Sequence, residues 1–199
     1  AYLERRRDEV QYSWSGFMKP VMIMGAAVVL LHFEPDHGAM VILMATTFSL
    51  LFLAGARVHR FLLFVMLCFA GFAWLAISKP YVINRLTSFL NPWAAEYVYG
   101  EGYQLTQALI AFGRGEWLGT GLGNSLQKLY FLPEAHTDFV LSIVAEELGL
   151  IGVLLILGLF GALIYHAFQL GRAAELKSQF FNAFVAYGIA TIFAAQVFI

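Results

Sequence analysis

The sequence predicts an all-α fold, a polytopic bundle of transmembrane helices, and three observations carry that prediction. Hydrophobic residues make up 60% of the 199 positions and charged ones only 13%, far below the roughly one quarter typical of soluble domains. The apolar residues gather into five runs, each near the ~20 residues a helix needs to cross the hydrocarbon core. Lipid offers the backbone no hydrogen bonds, so runs of this kind must satisfy their own polar groups as helices.

Taken in order, the runs are Phe17 to Phe33, Ala39 to Ala56, Phe61 to Ser78, Phe139 to Phe168, and Phe181 to the end. Ser13 or Ser15 is placed to cap the first helix, and Pro20 falls in its expected first turn, where a missing N–H costs little. Between the first two runs, HFEPDHG holds Pro35 and Gly38, which mark a tight turn, and Asp36 is placed to bond the free amides of the next helix. The same stretch supplies His32, Glu34, Asp36 and His37, side chains that suit a metal, but their spacing fits no zinc motif, so the turn is the preferred reading. Lys and Arg near membrane ends are retained in the cytoplasm. Arg5, Arg6, Arg7, Arg57, Arg60, Arg172 and Lys177 fall on one side and only Lys79, Arg85, Arg114 and Lys128 on the other. The expected layout is a cytoplasmic segment 1–16, three spanning helices in 17–78, an outer loop 79–137, a spanning helix 138–168, a cytoplasmic loop 169–180 and a last, truncated helix 181–199, all in one transmembrane domain.

The outer connection is too long to be a plain linker. In YQLTQALIAFGRGEWLG, residues Leu105, Ala108, Leu109 and Phe112 recur at helical spacing, which predicts a helix lying in the outer interface. Tyr97, Tyr99, Tyr103, Trp93 and Trp117 are its interfacial anchors. The following GRGEWLGTGLGNSLQK reads as a loop. A phosphate-cradling nest is conceivable there, although no strand precedes it to make a nucleotide motif.

Function classes are narrowed by what the composition lacks. Net charge is −1 with no basic tract, which argues against a nucleic-acid partner. Cys68 is the single cysteine, which excludes an internal disulfide and a cysteine-based metal site. The first residues, AYLERRRDEVQ, have no signal-peptide character, and the apolar run at the other end stops abruptly, as expected for a piece of a longer protein.

The acids of FLPEAHTDFVLSIVAEELG are the residues most suited to chemistry. Asp138 opens the fourth run, where it serves equally as a helix cap or as an acid at the mouth of a partly dry groove, the setting that raises a carboxyl toward general-base duty. From it one helical face continues through Ser142, Ala145 and Gly149, a track of small side chains that either lines a groove or permits close packing. Glu146 and Glu147 lie about 12 to 14 Å further along the helix at 1.5 Å per residue, a depth expected to be within hydrocarbon. The favoured reading is that they bond to neighbouring helices, with ion or proton relay as the other. Lying about 100° apart on the helical wheel, they are not expected to serve one site equally.

Read in order, EPDHG, FLAGAR, RLTSFLNPW and GYQLTQALIAFGRGEWLGTGLGNSLQKLYFLPEAHTDFVLSIVAEELG resemble the SEDS family of bacterial shape, elongation, division and sporulation proteins. NPW, GLGNSLQKL and LPEAHTDF bring the septal branch nearer than the elongation branch. The resemblance implies a peptidoglycan glycosyltransferase of the bacterial inner membrane that polymerises lipid II at the division septum. Its implied partners are a class B penicillin-binding protein transpeptidase, other divisome membrane proteins and membrane lipid. The family's essential acid maps onto Asp138, on the periplasmic side, as the base for the acceptor sugar. A leaving pyrophosphate calls for positive charge, from a divalent cation (Mg or Mn) or from Lys128, Arg85 or Arg114. Gln104 and His136 are added as substrate contacts, and Asp36, Glu134, Glu146 and Glu147 as supporting residues, while the metal ligands stay unknown. The family's usual turn resembles QPDLGT, so Glu34, His37 and Ala39 depart from it and carry no transferred role. A lipid II flippase and a non-catalytic scaffold that activates a partner transpeptidase are the competing readings.

Overall fold

The five apolar runs fold as helices, and the long connection adds more. The computed structural model describes residues 2–34, 36–78, 80–100, 102–131 and 139–198. Among them the helices are α1 (Tyr2–Arg5), α2 (Arg7–Tyr12), α3 (Trp14–Phe33), α4 (His37–Leu53), α5 (Val58–Ser78), α6 (Pro80–Leu90), α7 (Tyr103–Gly115), α8 (Val140–Leu176) and α9 (Phe180–Phe198), with a π-helical turn at Gln127–Phe131. Three of the described helices, α3, α8 and α9, are long and apolar enough to cross a membrane, while the apolar stretches Gly38–Leu53 and Val58–Gly71 are shorter. The chain is a helical membrane protein. It divides into two compact units, one of Ala1–Leu67 with Leu159–Ile199 and one of Cys68–Gly158.

In the first unit α4 packs against both α3 and α9, and α2 packs against α3. Phe17, Leu51, Ala183 and Ala190 are buried where these helices meet, and rings pack edge-on at Phe17–Phe64 (5.5 Å) and Phe48–Phe61 (5.9 Å). Ser13 caps α3, its hydroxyl accepting from the Ser15 amide at 3.2 Å. Because α3 begins at Trp14, Pro20 lies inside the helix rather than in its first turn. Its missing N–H would leave the Gly16 carbonyl without a donor, and the Tyr2 hydroxyl donates there instead, at 3.1 Å. Asp36 caps α4 as expected, accepting from the Ala39 amide at 2.9 Å.

Arg60, counted above as an orienting surface charge, is 3% exposed. Its guanidinium donates to the carbonyls of Ser13 (2.8 Å) and Tyr12 (3.1 Å) and lies 4.9 Å from the centre of the Trp14 ring. It thereby ties α5 to the α2–α3 junction.

In the second unit α7 occupies the stretch where a helix was expected. Thr106, Ala108, Ala111 and Gly115 are buried, while Leu109 and Phe112 of the apolar stripe stay 41% and 38% exposed. Small side chains face inward because the start of α8 comes too close for larger ones. A Cβ on Gly115 would collide with the Ala145 carbonyl.

Candidate functional site

The site is built around a break in α8. At Gly149 the backbone takes φ 68°, ψ −169°, a region open essentially to glycine alone. In a continuous helix the amides of Leu150 and Ile151 would donate to the carbonyls of Glu146 and Glu147. Here they donate to Glu116 (2.9 Å) and Trp117 (3.2 Å), and the Glu146 and Glu147 carbonyls accept from the amides of Thr120 (2.9 Å) and Gly121 (3.0 Å). The Thr120 hydroxyl adds a bond to the Glu146 carbonyl at 3.0 Å. The segment 116–121 thus satisfies the four groups the break frees. Glu116 takes φ 46°, ψ −134°, a strained conformation for a residue with a Cβ, in the residue whose carbonyl receives Leu150.

The small-residue track is a packing surface. Ser142 and Ala145 are 4% and 2% exposed, and Cβ atoms on Gly115 or Gly149 would strike backbone across the contact. What packs there is the long connection.

The same connection takes up both acids. Glu146 is 0% exposed. One oxygen accepts from Arg114 Nη1 (3.0 Å) and the Leu126 amide (3.1 Å), the other from Ser125 Oγ (2.5 Å) and the Gln127 amide (3.2 Å). Glu147 accepts from Lys128 Nζ at 2.6 Å and from the Ser125 amide at 3.4 Å. The expectation was that these acids bond to neighbouring helices; among the described residues their side-chain partners lie on α7, in the glycine-rich loop and in the π-helical turn. Both acids reach residues 125–128, but unequally: Glu146 is fully buried there with four donors, and Glu147 is at the edge with Lys128. The chain of α8 beyond Gly149 is alone about 40 Å long at 1.5 Å per residue, sufficient for the span without the two acids.

The sequence-predicted residues are only partly brought together. Arg114 and Lys128 join the network, each held by a carboxylate. Gln104 is exposed on α7, ten residues and about 15 Å of helix before Arg114. Arg85 lies on α6, and Asp36 is the α4 cap. Asp138, Glu134 and His136 lie outside the described residues; in sequence Asp138 stands two positions before the first residue of α8. Among the described residues no three His, Cys, Asp or Glu side chains come together, and Glu146 already has two donors on each oxygen, so these residues do not fit a divalent cation. Sequence reasoning missed Ser125 and Thr120, whose only local signal is their place in a Gly/Asn/Ser-rich loop.

The surface shows large apolar side chains, Leu155 at 62% and Phe69 at 73% exposure, while Glu146 is fully buried. An apolar exterior over a bonded polar interior defines a polytopic membrane protein with a built polar site at a broken helix. The chain belongs to the SEDS family: residues 1–199 match the cell cycle protein family FtsW/RodA/SpoVE throughout. It is 54% identical over 198 residues to a protein of Halomonas elongata and 51% identical over 199 residues to one of Hahella chejuensis, each named probable peptidoglycan glycosyltransferase FtsW. Both matches cover 100% of this chain and 50% of the relative, so the chain spans about half the length of these relatives. A solved structure described as "Structural coordination of polymerization and crosslinking by a peptidoglycan synthase complex" superimposes with TM-score 0.67 at 25% identity, over 94% of this chain and 50% of the other.

Proposed function

We propose that the full-length protein is a peptidoglycan glycosyltransferase that polymerises lipid II in the bacterial inner membrane during septal wall synthesis, with a class B penicillin-binding protein transpeptidase as partner. The observation that carries this is the match along the whole chain, at about half identity, to relatives named as such transferases. The complex named for the structural neighbour supports a transpeptidase partner. In this reading Asp138 lies on the periplasmic face and acts as general base. Its carboxylate takes the proton of the acceptor sugar's 4-hydroxyl while that oxygen attacks the anomeric carbon of the growing chain. The new glycosidic bond forms as the bond to the lipid pyrophosphate breaks, the electron pair leaves with the pyrophosphate, and the anomeric centre inverts. Glu146 is not a second base, because its four hydrogen-bond donors hold it as a structural carboxylate.

The test is Asp138→Asn in the full-length protein with its partner, given lipid II already on the outer side of a vesicle. The expected result is loss of glycan polymer by at least ~100-fold, the range associated with removal of a general base. Retention of full polymerisation would remove the assignment. Movement of lipid II across the bilayer without polymer would favour a transporter instead.

A further inference from the structure

Helix α8 runs for 37 residues with its break at Gly149, far more than the ~20 that a span requires. From Leu150 to Gly171 it carries no Asp, Glu, Lys or Arg, about 33 Å of helix at 1.5 Å per residue, which matches a hydrocarbon core of about 30 Å. Glu146 and Glu147 come shortly before this stretch and Arg172 directly after it, so one boundary of the hydrocarbon falls at Leu150 and Ile151. The loop that follows α7 is fixed to that level. The amides of Leu150 and Ile151 donate to the carbonyls of Glu116 and Trp117, and backbone atoms of Trp117 stand where a Cβ on Gly149 would be. There the loop turns apolar side chains outward: Trp117 is 67% exposed, Leu118 79% and Leu122 76%. On α8, Ile151, Leu154 and Leu155 follow at helical spacing on one exposed face, so Trp117 meets the head of a surface that faces lipid.

We propose that the tip of this loop, Trp117 and Leu118 with Leu122, is inserted into the lipid monolayer at that boundary, its apolar side chains among the upper parts of the acyl chains. The sequence reads the stretch as a plain loop, and the inference stands apart from the activity proposed above. A loop that meets lipid must settle its own backbone groups. Here the carbonyls of Glu116 and Trp117 and the amides of Gly119, Thr120 and Gly121 are all bonded within the protein, and the bonds to the broken helix supply most of them. Insertion is shallow, because Glu116 and Asn124 are exposed on the same loop and need water. Tryptophan suits that depth, with an apolar ring for the acyl chains and an N–H for the head groups. In water the same three side chains would only enlarge an exposed apolar patch.

The experiment uses the full-length protein in phospholipid vesicles, with its native cysteines, Cys68 among them, replaced by Ala. A single bimane label is placed through Leu118→Cys, Leu155→Cys or Asn124→Cys. The quenchers are phosphatidylcholine brominated either high or low on its acyl chains, and iodide in the water. The Leu118 label should be quenched at least ~2-fold more strongly by the high bromines than by the low ones and should resist iodide, while the Leu155 label prefers the low bromines and the Asn124 label takes iodide. Without any label, the tryptophan emission lost in Trp117→Phe should be emission that the high bromines quench. A Leu118 label that iodide reaches and neither lipid quenches places the loop in water and overturns the insertion. A label shielded from iodide and from both lipids means that other helices of the longer protein cover the loop, which overturns it as well. Lipid quenching that disappears when the proposed transpeptidase is added gives the face to that partner and overturns lipid as its occupant.

Discussion

Gly149, at the break in α8, and Glu116, whose carbonyl takes the Leu150 amide there, carry opposite backbone demands. Gly149 at φ 68°, ψ −169° has backbone atoms of Trp117 and Gly119 where a Cβ would stand, so Gly149→Ala meets both strain and collision. We expect a loss of about 2 kcal/mol or more, read as a lower melting temperature of the full-length protein in detergent; an unchanged melting temperature would show that the break is not needed. Glu116, by contrast, bears a Cβ at φ 46° and an exposed side chain, so Glu116→Gly relieves strain while loosening the unfolded chain. Those effects oppose each other, and the expected net change is within about 1 kcal/mol. At Arg60 the fork to two carbonyls is the feature that matters, since lysine cannot reach both in one plane. Arg60→Lys should cost about 1 to 3 kcal/mol, the scale of a charged hydrogen bond lost in a buried place, and a melting curve identical to that of the unchanged protein would contradict this.

At the scale of elements, what was legible in the sequence was what is local. The apolar runs gave the spanning helices to within a few residues at most ends, because length and composition alone satisfy the membrane's demand on the backbone. Asp36 and Ser13 were readable as caps because a cap acts on amides two or three residues away. Helix α6 was missed: PYVINRLTSFL is a short amphipathic stretch inside what read as a loop. The break in α8 was missed because a single glycine in an apolar run is compatible with a continuous helix, and only the distant segment 116–121 makes an interruption affordable. Which residues partner Glu146 and Glu147 was not legible for the same non-local reason, since they stand about 20 to 30 positions earlier in the chain. Pro20 shows a local rule resolved at a distance, with the Tyr2 hydroxyl supplying the bond its imide nitrogen cannot. Tyr2→Phe should therefore cost about 1 kcal/mol. Restoring an N–H with Pro20→Ala should reduce that cost by at least ~0.5 kcal/mol in a double-mutant cycle. Additive effects would mean the hydroxyl is not standing in for the missing donor.

For the molecule as a whole, the usual sign of burial is inverted, and this sets which substitutions are harmful. Leu154, Leu155 and Leu159 are 56%, 62% and 64% exposed along α8, facing surroundings as apolar as themselves. In lipid no hydrophobic gain drives such side chains together, and helices are held by close packing and by polar bonds. Truncating an outward leucine then forfeits little, so Leu155→Ala should change stability by no more than about 0.5 kcal/mol. The inward carboxylate behaves oppositely: Glu146→Ala removes the acceptor of four hydrogen bonds and, although Arg114 is 40% exposed and keeps solvent, leaves the buried Ser125 hydroxyl and Gln127 amide without an acceptor, a change of about 3 kcal/mol or more. Both variants belong in one experiment, with full-length protein in lipid bilayers unfolded by a denaturing detergent and followed by helical signal. A soluble-protein logic predicts comparable losses for the two, whereas the inverted core predicts at least a fivefold difference in destabilisation, with Glu146→Ala the larger. Equal losses would mean that the leucine face is covered by helices of the longer protein, and the exposed belt of α8 would then have to be read as an internal helix interface.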